Sequence, residues 1–164
     1  MTRYARLKTP LGTMIAIAED GQLVGIDFED AKYAPSIDPA WLEDRAASPL
    51  RDCIAQLAGY FAGTRRRFDL PLAARGTAFQ KRIWREIAKV PFGETITYAE
   101  LAARAGSPGS ARAAGAATGR NPFAIVVPCH RILGASGSLT GYAGGLARKE
   151  RLLRLEGALE ETAA

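Results

Sequence analysis

The sequence is poor in the residues that hold metals and disulfides: 164 residues include two cysteines and one histidine. That set cannot supply the four protein ligands of a structural zinc site, and no acidic loop has calcium-site spacing. No metal and no cofactor is expected. Cys53 and Cys129 are separated by 75 intervening residues. Such a pair makes no disulfide framework and points to a reducing, cytoplasmic setting. Long apolar runs are missing too. The run Phe123 to Val127 is far short of the about 20 residues a membrane span needs, so no membrane partner is expected. The opening MTRYARLKTP has no apolar stretch of the signal-peptide kind.

What remains is ordinary globular composition, 48% hydrophobic and 24% charged, which excludes a disordered chain. The length fits one domain with room for a second small lobe. Charge is unevenly placed. Residues 1–75 carry 10 Lys+Arg and 10 Asp+Glu, whereas residues 76–164 carry 12 and 7, so the whole net +5 sits in the second half. A basic half beside a neutral one suits a polyanion, most simply nucleic acid. Solubility charge explains the same excess equally well.

Along the chain, Arg3 to Thr9, Thr13 to Ala18 and Leu23 to Phe28 read as an antiparallel meander with turns at Pro10-Leu11-Gly12 and Glu19-Asp20-Gly21. Ser48-Pro49 opens a helix with Leu50, Cys53, Ile54, Leu57 and Tyr60-Phe61 at helical spacing, ended by Gly63. Phe68 to Leu72 reads as a short edge strand. Periodicity and charge both reset at Ala73 to Gly76, the expected domain boundary. Thr77 then caps a helix through Lys89, with Phe79, Ile83, Trp84 and Ile87 inward. Thr97-x-x-Glu100 is a capping box for a helix over Tyr98 to Ala105. After the turn Gly106-Ser107-Pro108-Gly109, Ser110 is expected to cap a second helix, Ala111 to Thr118. Two short helices joined by such a turn form a helix-turn-helix signature. Phe123 to Val127 reads as a short buried extended segment leading into Pro128-Cys129-His130-Arg131. A last helix spans Ala147 to Glu156, stopped by Gly157.

Chemistry concentrates where Asn121, Cys129 and His130 fall within ten positions; they include the chain's only Asn and only His. Cys129 reads either as a buried structural thiol or as a nucleophile. Pro128 fixes the backbone, and Arg131 brings positive charge able to stabilise a thiolate. In an extended segment Cys129 and His130 would face opposite sides, so a bridging water suits them better than direct contact. That disfavours a protease-like Cys–His pair. Glu156, at the end of the last helix, opposes the helix dipole that Lys149, Arg151 and Arg154 obey. It reads as a carboxylate orienting an imidazole or, equally, as a solvated Glu beside arginines. Cys53, on an apolar helix face, reads as core. The helix after Ser110 carries no Asn or Gln for base readout. Its Ala/Gly surface, with Arg112 projecting, suits binding by shape and charge, and tight internal packing suits it equally.

These residues, from about Gly76 to Gly157, resemble the O6-alkylguanine-DNA alkyltransferases (methylated-DNA–protein-cysteine methyltransferases). The likeness is carried by Pro91-Phe92-Gly93-Glu94-Thr95, Tyr98, Arg112, Gly119-Arg120-Asn121-Pro122, Ile125 to Arg131 with its Pro-Cys-His-Arg block, Gly141 to Gly145 and Glu156. The first half shares only the family's looser outline. The resemblance implies an α+β fold: a small ribonuclease-H-like sheet and helix domain over 1–75, and a mostly helical, winged helix-turn-helix-like domain for DNA binding and alkyl transfer over 76–164. It implies a DNA repair protein that moves the alkyl group of O6-alkylguanine irreversibly onto its own cysteine, once per chain.

By the same resemblance, Cys129 would be the acceptor, activated by His130 through a water, with Glu156 orienting His130 and Asn121 bracing the turn before Cys129. Tyr98 would hydrogen-bond the base and press on the DNA phosphate. Arg112 would fill the gap left by the extruded nucleotide. Thr95, Ser110, Ala113, Gly115 and Arg120 would also meet DNA, while Tyr142, Ala143, Val127 and Ile132 would line the substrate pocket. The partner would be duplex DNA carrying alkylated guanine, bound without sequence preference by a monomer, with cooperative assembly left open. Thr118 stands where many relatives have Asn, and Ala143 where some have Ser. Two other classes remain: a non-catalytic helix-turn-helix DNA-binding protein, and a cysteine hydrolase.

Overall fold

A computed structural model describes residues 1–159, in two compact units that divide between Arg75 and Gly76. In the first, β1 (Thr2–Thr9), β2 (Gly12–Glu19) and β3 (Gln22–Phe28) form the antiparallel meander. The β2–β3 turn needs left-handed backbone at both Asp20 (φ 51°) and Gly21 (φ 75°), the conformation that an Asp-Gly pair supplies. β4 (Leu42–Glu43) adds parallel to β1 and completes the order β3-β2-β1-β4. Two exposed residues give no alternating pattern, so this strand left no trace in the sequence. The central strand β2 is buried from Met14 to Ala18. Helix α1 (Ser48–Phe61) lays Leu50, Cys53, Leu57 and Tyr60 into the core, a stripe at helical spacing.

The expected edge strand over Phe68 to Leu72 does not form. Only Leu72 bridges Leu23, with Leu23 N donating to Pro71 O and Ala73 N to Leu23 O. Pro71 lacks the N–H a longer ladder would use.

The second unit begins with α2 (Ala78–Ala88), whose N-cap Thr77 and N3 residue Gln80 form a reciprocal capping box. Ile83, Trp84 and Ile87 face inward; Phe79 is only half-buried. Trp84 Nε1 donates to Ala117 O at 2.8 Å, tying α2 to α4 (Ala111–Gly119). Helix α3 (Tyr98–Arg104) starts on the Thr97/Glu100 capping box. Ser110 occupies the N-cap of α4 but makes no capping bond through its side chain, a correction to the sequence expectation. Its ψ of 37° departs from the extended backbone of a capping residue. Residues β5 (Ile96–Thr97) and β6 (Ile132–Leu133) pair in parallel. The chain's last described helix is α5 (Leu146–Leu155), closed at Gly157 (φ 76°). Gly157 N donates to Arg154 O and Ala158 N to Leu153 O, a Schellman closure. No helix among the described residues is long and apolar enough to cross a membrane.

Candidate active site

Phe123 to Val127 is a tight turn, not the extended segment its apolar composition suggests. Ile125 sits at φ 69°, a left-handed conformation a β-branched residue seldom takes. Asn121 holds the turn in place. Its Nδ2 donates to Val127 O at 2.7 Å and Phe123 O at 3.3 Å, and its Oδ1 accepts from Phe123 N at 3.0 Å. Backbone strain of this kind costs about 1–3 kcal/mol and persists only where neighbours over-determine it. Asn121 is such a neighbour.

The turn delivers the chain into a 3-10 turn, Cys129–Arg131. The alternating geometry expected for Cys129 and His130 therefore does not apply. Cys129 is 8% exposed, while His130 is wholly buried. His130 Nε2 lies 2.8 Å from Glu156 Oε2. Arg131 grips the same carboxylate twice, Nε to Oε1 at 2.8 Å and Nη2 to Oε2 at 2.9 Å, and donates from Nη1 to Val90 O at 2.7 Å. The guanidinium is thus committed to Glu156, which revises the expectation that it serves the thiolate. Gly93, at φ 83°, lets the Glu156 backbone come close: a Cβ there would stand 3.2 Å from the Glu156 main-chain carbonyl oxygen.

The electrostatics follow. Burial pushes the Glu156 carboxyl up, but the hydrogen bonds and charge of His130 and Arg131 outweigh it and hold the group at about 2. An ionised carboxylate only accepts, so His130 Nε2 carries the proton in that bond. Burial drives His130 below its ordinary 6.5 despite Glu156's opposing pull, with Arg131 and Lys149 adding to the drop. The imidazole is neutral near neutral pH, and its lone pair is on Nδ1. That atom is buried and makes no hydrogen bond among the described residues.

Tyr98 is half-buried and its hydroxyl donates to Thr140 O at 3.3 Å. Burial, then the nearby Cys129 sulfur, raise its pKa, so it remains a donor. Tyr142 and Ala143 are half-buried in the loop before α5. Val127 is buried and carries the Asn121 bond, while Ile132 is fully buried. On α4, Ala114, Ala117 and Thr118 face the core. Arg112, Ala113 and Arg120 are exposed; Thr95, Ser110 and Gly115 are half-buried. The helix therefore does both things its composition allowed, packing one small-residue face and presenting the other. Thr118 donates to Ala114 O at 2.7 Å, spending its hydroxyl on its own helix.

Sequence reasoning missed Lys149. It is completely buried, and its Nζ donates to Ile132 O at 2.6 Å, Thr140 O at 2.9 Å and Gly141 O at 3.2 Å. Lys149 belongs to the first turn of α5, where a cation opposes the dipole instead of obeying it. Its spacing with Leu152, Leu153 and Glu156 on the buried stripe was the available signal.

Residues 2–74 match the family model for the 6-O-methylguanine DNA methyltransferase ribonuclease-like domain, and residues 78–158 match the model for its DNA binding domain. The chain belongs to the 6-O-methylguanine DNA methyltransferase family. The methylated-DNA–protein-cysteine methyltransferase of Mycolicibacterium paratuberculosis is 46% identical over 156 residues, 95% of this chain and 93% of that protein. Its counterpart in Methanosarcina acetivorans is 44% identical over 154 residues, 94% and 97% of the two chains. Among solved structures of this methyltransferase family, Mycobacterium tuberculosis OGT in complex with DNA superposes with a TM-score of 0.86 at 40% identity, covering 95% of this chain and 93% of that one. The α+β, two-domain description of the methyltransferase fold holds here.

Proposed function

We propose that this protein is a single-use DNA repair transferase, moving the alkyl group of O6-alkylguanine in duplex DNA onto Cys129 Sγ. The observation that carries the reading is His130: buried, neutral, held at Nε2 by Glu156 and with Nδ1 left to take a proton. The methyltransferase names of its relatives support the same chemistry.

In the proposed reaction, the Cys129 proton passes through a water to His130 Nδ1. The thiolate attacks the alkyl carbon in line; the C–S bond forms as the C–O6 bond breaks, and the electron pair returns to the guanine ring. Tyr98, a protonated donor on a long 3.3 Å bond to Thr140 O, turns its hydroxyl to the base and offsets the developing charge. The proton held on His130 Nδ1 returns through water to the departing guanine, which restores the neutral imidazole, and Cys129 keeps a thioether that has no ready leaving group. The step consumes no cofactor.

Duplex DNA is the proposed partner, with the damaged nucleotide extruded into a pocket lined by Tyr142, Ala143, Val127 and Ile132. Arg112 and Ala113 lie on the open face of α4, where small neighbours such as Gly115 let the backbone come close and Arg112 fills the gap in the stack. Thr95, Ser110 and Arg120 flank it as phosphate contacts. Binding of this kind is driven by charge and shape, so it is insensitive to sequence and weakens with salt. All reacting groups come from one chain, so the proposed acting unit is a monomer, working in the cytoplasm.

The test is to incubate the protein with duplex DNA carrying O6-methylguanine and measure intact mass. The expected result is a gain of one methyl group per chain, mapping to the Cys129 peptide. Unmodified protein that binds the DNA would identify a non-catalytic helix-turn-helix protein instead, and repair of many lesions per chain would also overturn the proposal.

A further inference from the structure

The helix that carries the proposed DNA contacts is weakly held by its own sequence. α4 spans nine residues, fewer than the about 12–15 an isolated helix needs to persist in water. Gly115 and Gly119 lower its propensity further. Ser110 supplies no side-chain cap at its start. Its buried face is Ala114, Ala117 and Thr118, side chains too small to make many dispersion contacts. The Thr118 hydroxyl bonds back to Ala114 O and so ties the helix to nothing else. An anchor has to come from outside the helix.

Trp84 supplies it. The buried indole donates from Nε1 to Ala117 O at 2.8 Å, one of the last carbonyls that an α-helix leaves without an internal partner of its own. The Arg120 amide donates to the same oxygen at 3.1 Å, so one carbonyl takes both the indole and the closing turn of α4. The far edge of the indole is fixed as well. At Gly76, where the second unit begins, a Cβ would stand 2.6 Å from Trp84 Cη2, 2.9 Å from Trp84 Cζ3 and 2.6 Å from Gln80 Oε1. Packed atoms do not come that close. Gly76 is not among the residues with positive φ, so glycine is needed there for space and not for backbone freedom. The Gln80 oxygen beside it is committed to the Thr77 amide at 3.0 Å. The indole is thus held at both ends, by the bare backbone of Gly76 and by the Ala117 carbonyl. Another apolar side chain could fill the same space, but it would leave Ala117 O one donor short.

We infer that Trp84 is a positioning residue for DNA binding: its indole is a strut, seated on Gly76, that sets where the last turn of α4 lies. With that turn it sets the exposed Arg120 and the open face bearing Arg112 and Ala113. The inference rests on the reading of α4 as the DNA-facing helix. The strut acts on affinity for the duplex and leaves the sulfur alone.

The test measures the dissociation constant for unmodified duplex DNA in Trp84→Phe, Gly76→Ala and the double variant. Trp84→Phe removes the indole N–H and keeps an aromatic ring; Gly76→Ala keeps the N–H and pushes the ring off its seat. Each should weaken binding about tenfold, the weight of one hydrogen bond, while Cys129 alkylation by iodoacetamide stays at the wild-type rate. The double variant should bind no worse than Trp84→Phe alone, because the phenyl ring lacks the atoms that the new methyl group meets. Losses that simply multiply would mean that the two residues act separately, and would overturn the inference. Wild-type affinity in a folded Trp84→Phe protein also overturns it: a residue that only fills the core would lower the denaturation midpoint and leave binding where it was. Should Trp84→Phe fail to fold, Gly76→Ala decides. Its Trp84 indole signal in nitrogen-15 NMR should shift and its affinity fall together, and unchanged affinity overturns the inference. No alkyl transfer enters these readouts, so a protein that binds DNA and takes no methyl group would sink the proposed function and leave this inference standing.

Discussion

Each unit buries one cysteine, and the two surroundings could hardly differ more. Cys53 is fully enclosed on the apolar face of α1, beside Leu50, Leu57 and Tyr60 in the helix stripe, and burial pushes its thiol up to about 12. Cys129 is almost as enclosed, yet its unit also buries His130, Arg131, Lys149 and Glu156. The first unit buries no charged side chain among its described residues. Burial alone makes a thiol inert; burial among organised charges is what makes one usable. The difference lies in what the surrounding backbone and side chains can do for a sulfur that loses its proton.

The comparison breaks most simply at the cysteines themselves. Cys129→Ser should abolish methyl transfer, because a serine hydroxyl near neutral pH offers almost no alkoxide. Cys53→Ala should leave transfer at the wild-type rate and cost only about 1 kcal/mol, as small core truncations do. Transfer of label from methylated duplex DNA measures both. Residual transfer in the Cys129 variant, or lost transfer in a folded Cys53 variant, would erase the contrast.

The next largest effect falls on the carboxylates. Glu156→Ala leaves Arg131 buried without its partner and His130 without its anchor, and should destabilise the second unit by about 3–5 kcal/mol. Glu19→Ala removes the exposed ion pair with Arg75 and should leave the denaturation midpoint where it was. Chemical denaturation followed separately in each unit distinguishes them; equal shifts would show that the buried triad is ordinary.

Acid sharpens the same contrast. Folded values for His130 and Glu156 lie below the unfolded 6.5 and 4.5, so acidification loads protons onto the unfolded chain first. The stability they contribute is complete above those unfolded values. It drains as pH falls below 6.5, and again from 4.5 toward about 2. Glu19 and Asp44 in the first unit are also lowered, by hydrogen bonds from Arg75 and from the Ala46 backbone respectively, but water screens exposed groups. Hydrogen exchange during stepwise acidification should show second-unit amides opening before those of β1–β3. The reverse order would contradict the assignment.

Most of the architecture was legible because it is written in local patterns: the Asp-Gly turn, the cap at Thr77, the capping box at Thr97, the stripe on α1. Within the candidate site, Glu156 was visible as a residue that breaks the helix-dipole pattern, and Asn121 as a solitary amide beside Cys129 and His130. The rest was hidden by tertiary context. An apolar run says that Phe123 to Val127 is buried, but not that Ile125 turns left-handed, since that depends on the Phe123 and Val127 carbonyls being held by the Asn121 amide. Arg131 and Lys149 read as generic cations near a thiol. Which one is spent on a carboxylate depends on α5 folding back, and that is not a local property.

The smallest predicted contrast concerns two amides that do the same job. Gln56 Nε2 donates to Asp69 O at 2.9 Å and its Oε1 accepts from Asp69 N at 2.9 Å, stapling the segment after α1 much as Asn121 staples the turn before Cys129. The Gln56 bonds are exposed, so water replaces them when they are lost. Gln56→Ala should cost under about 1 kcal/mol, within the net value of a hydrogen bond, and leave transfer untouched. Asn121 is half-buried and holds two carbonyls and an N–H around a strained residue. Asn121→Ala should cost about 2 kcal/mol and slow transfer disproportionately, because a relaxed Ile125 shifts the turn that presents Cys129. Iodoacetamide reactivity of Cys129 in the folded variant separates geometry from stability: transfer should fall while intrinsic thiol reactivity holds. If both fall together, Asn121 acts on the charge environment of the sulfur instead of its placement. If neither falls, Asn121 is no more than a second Gln56.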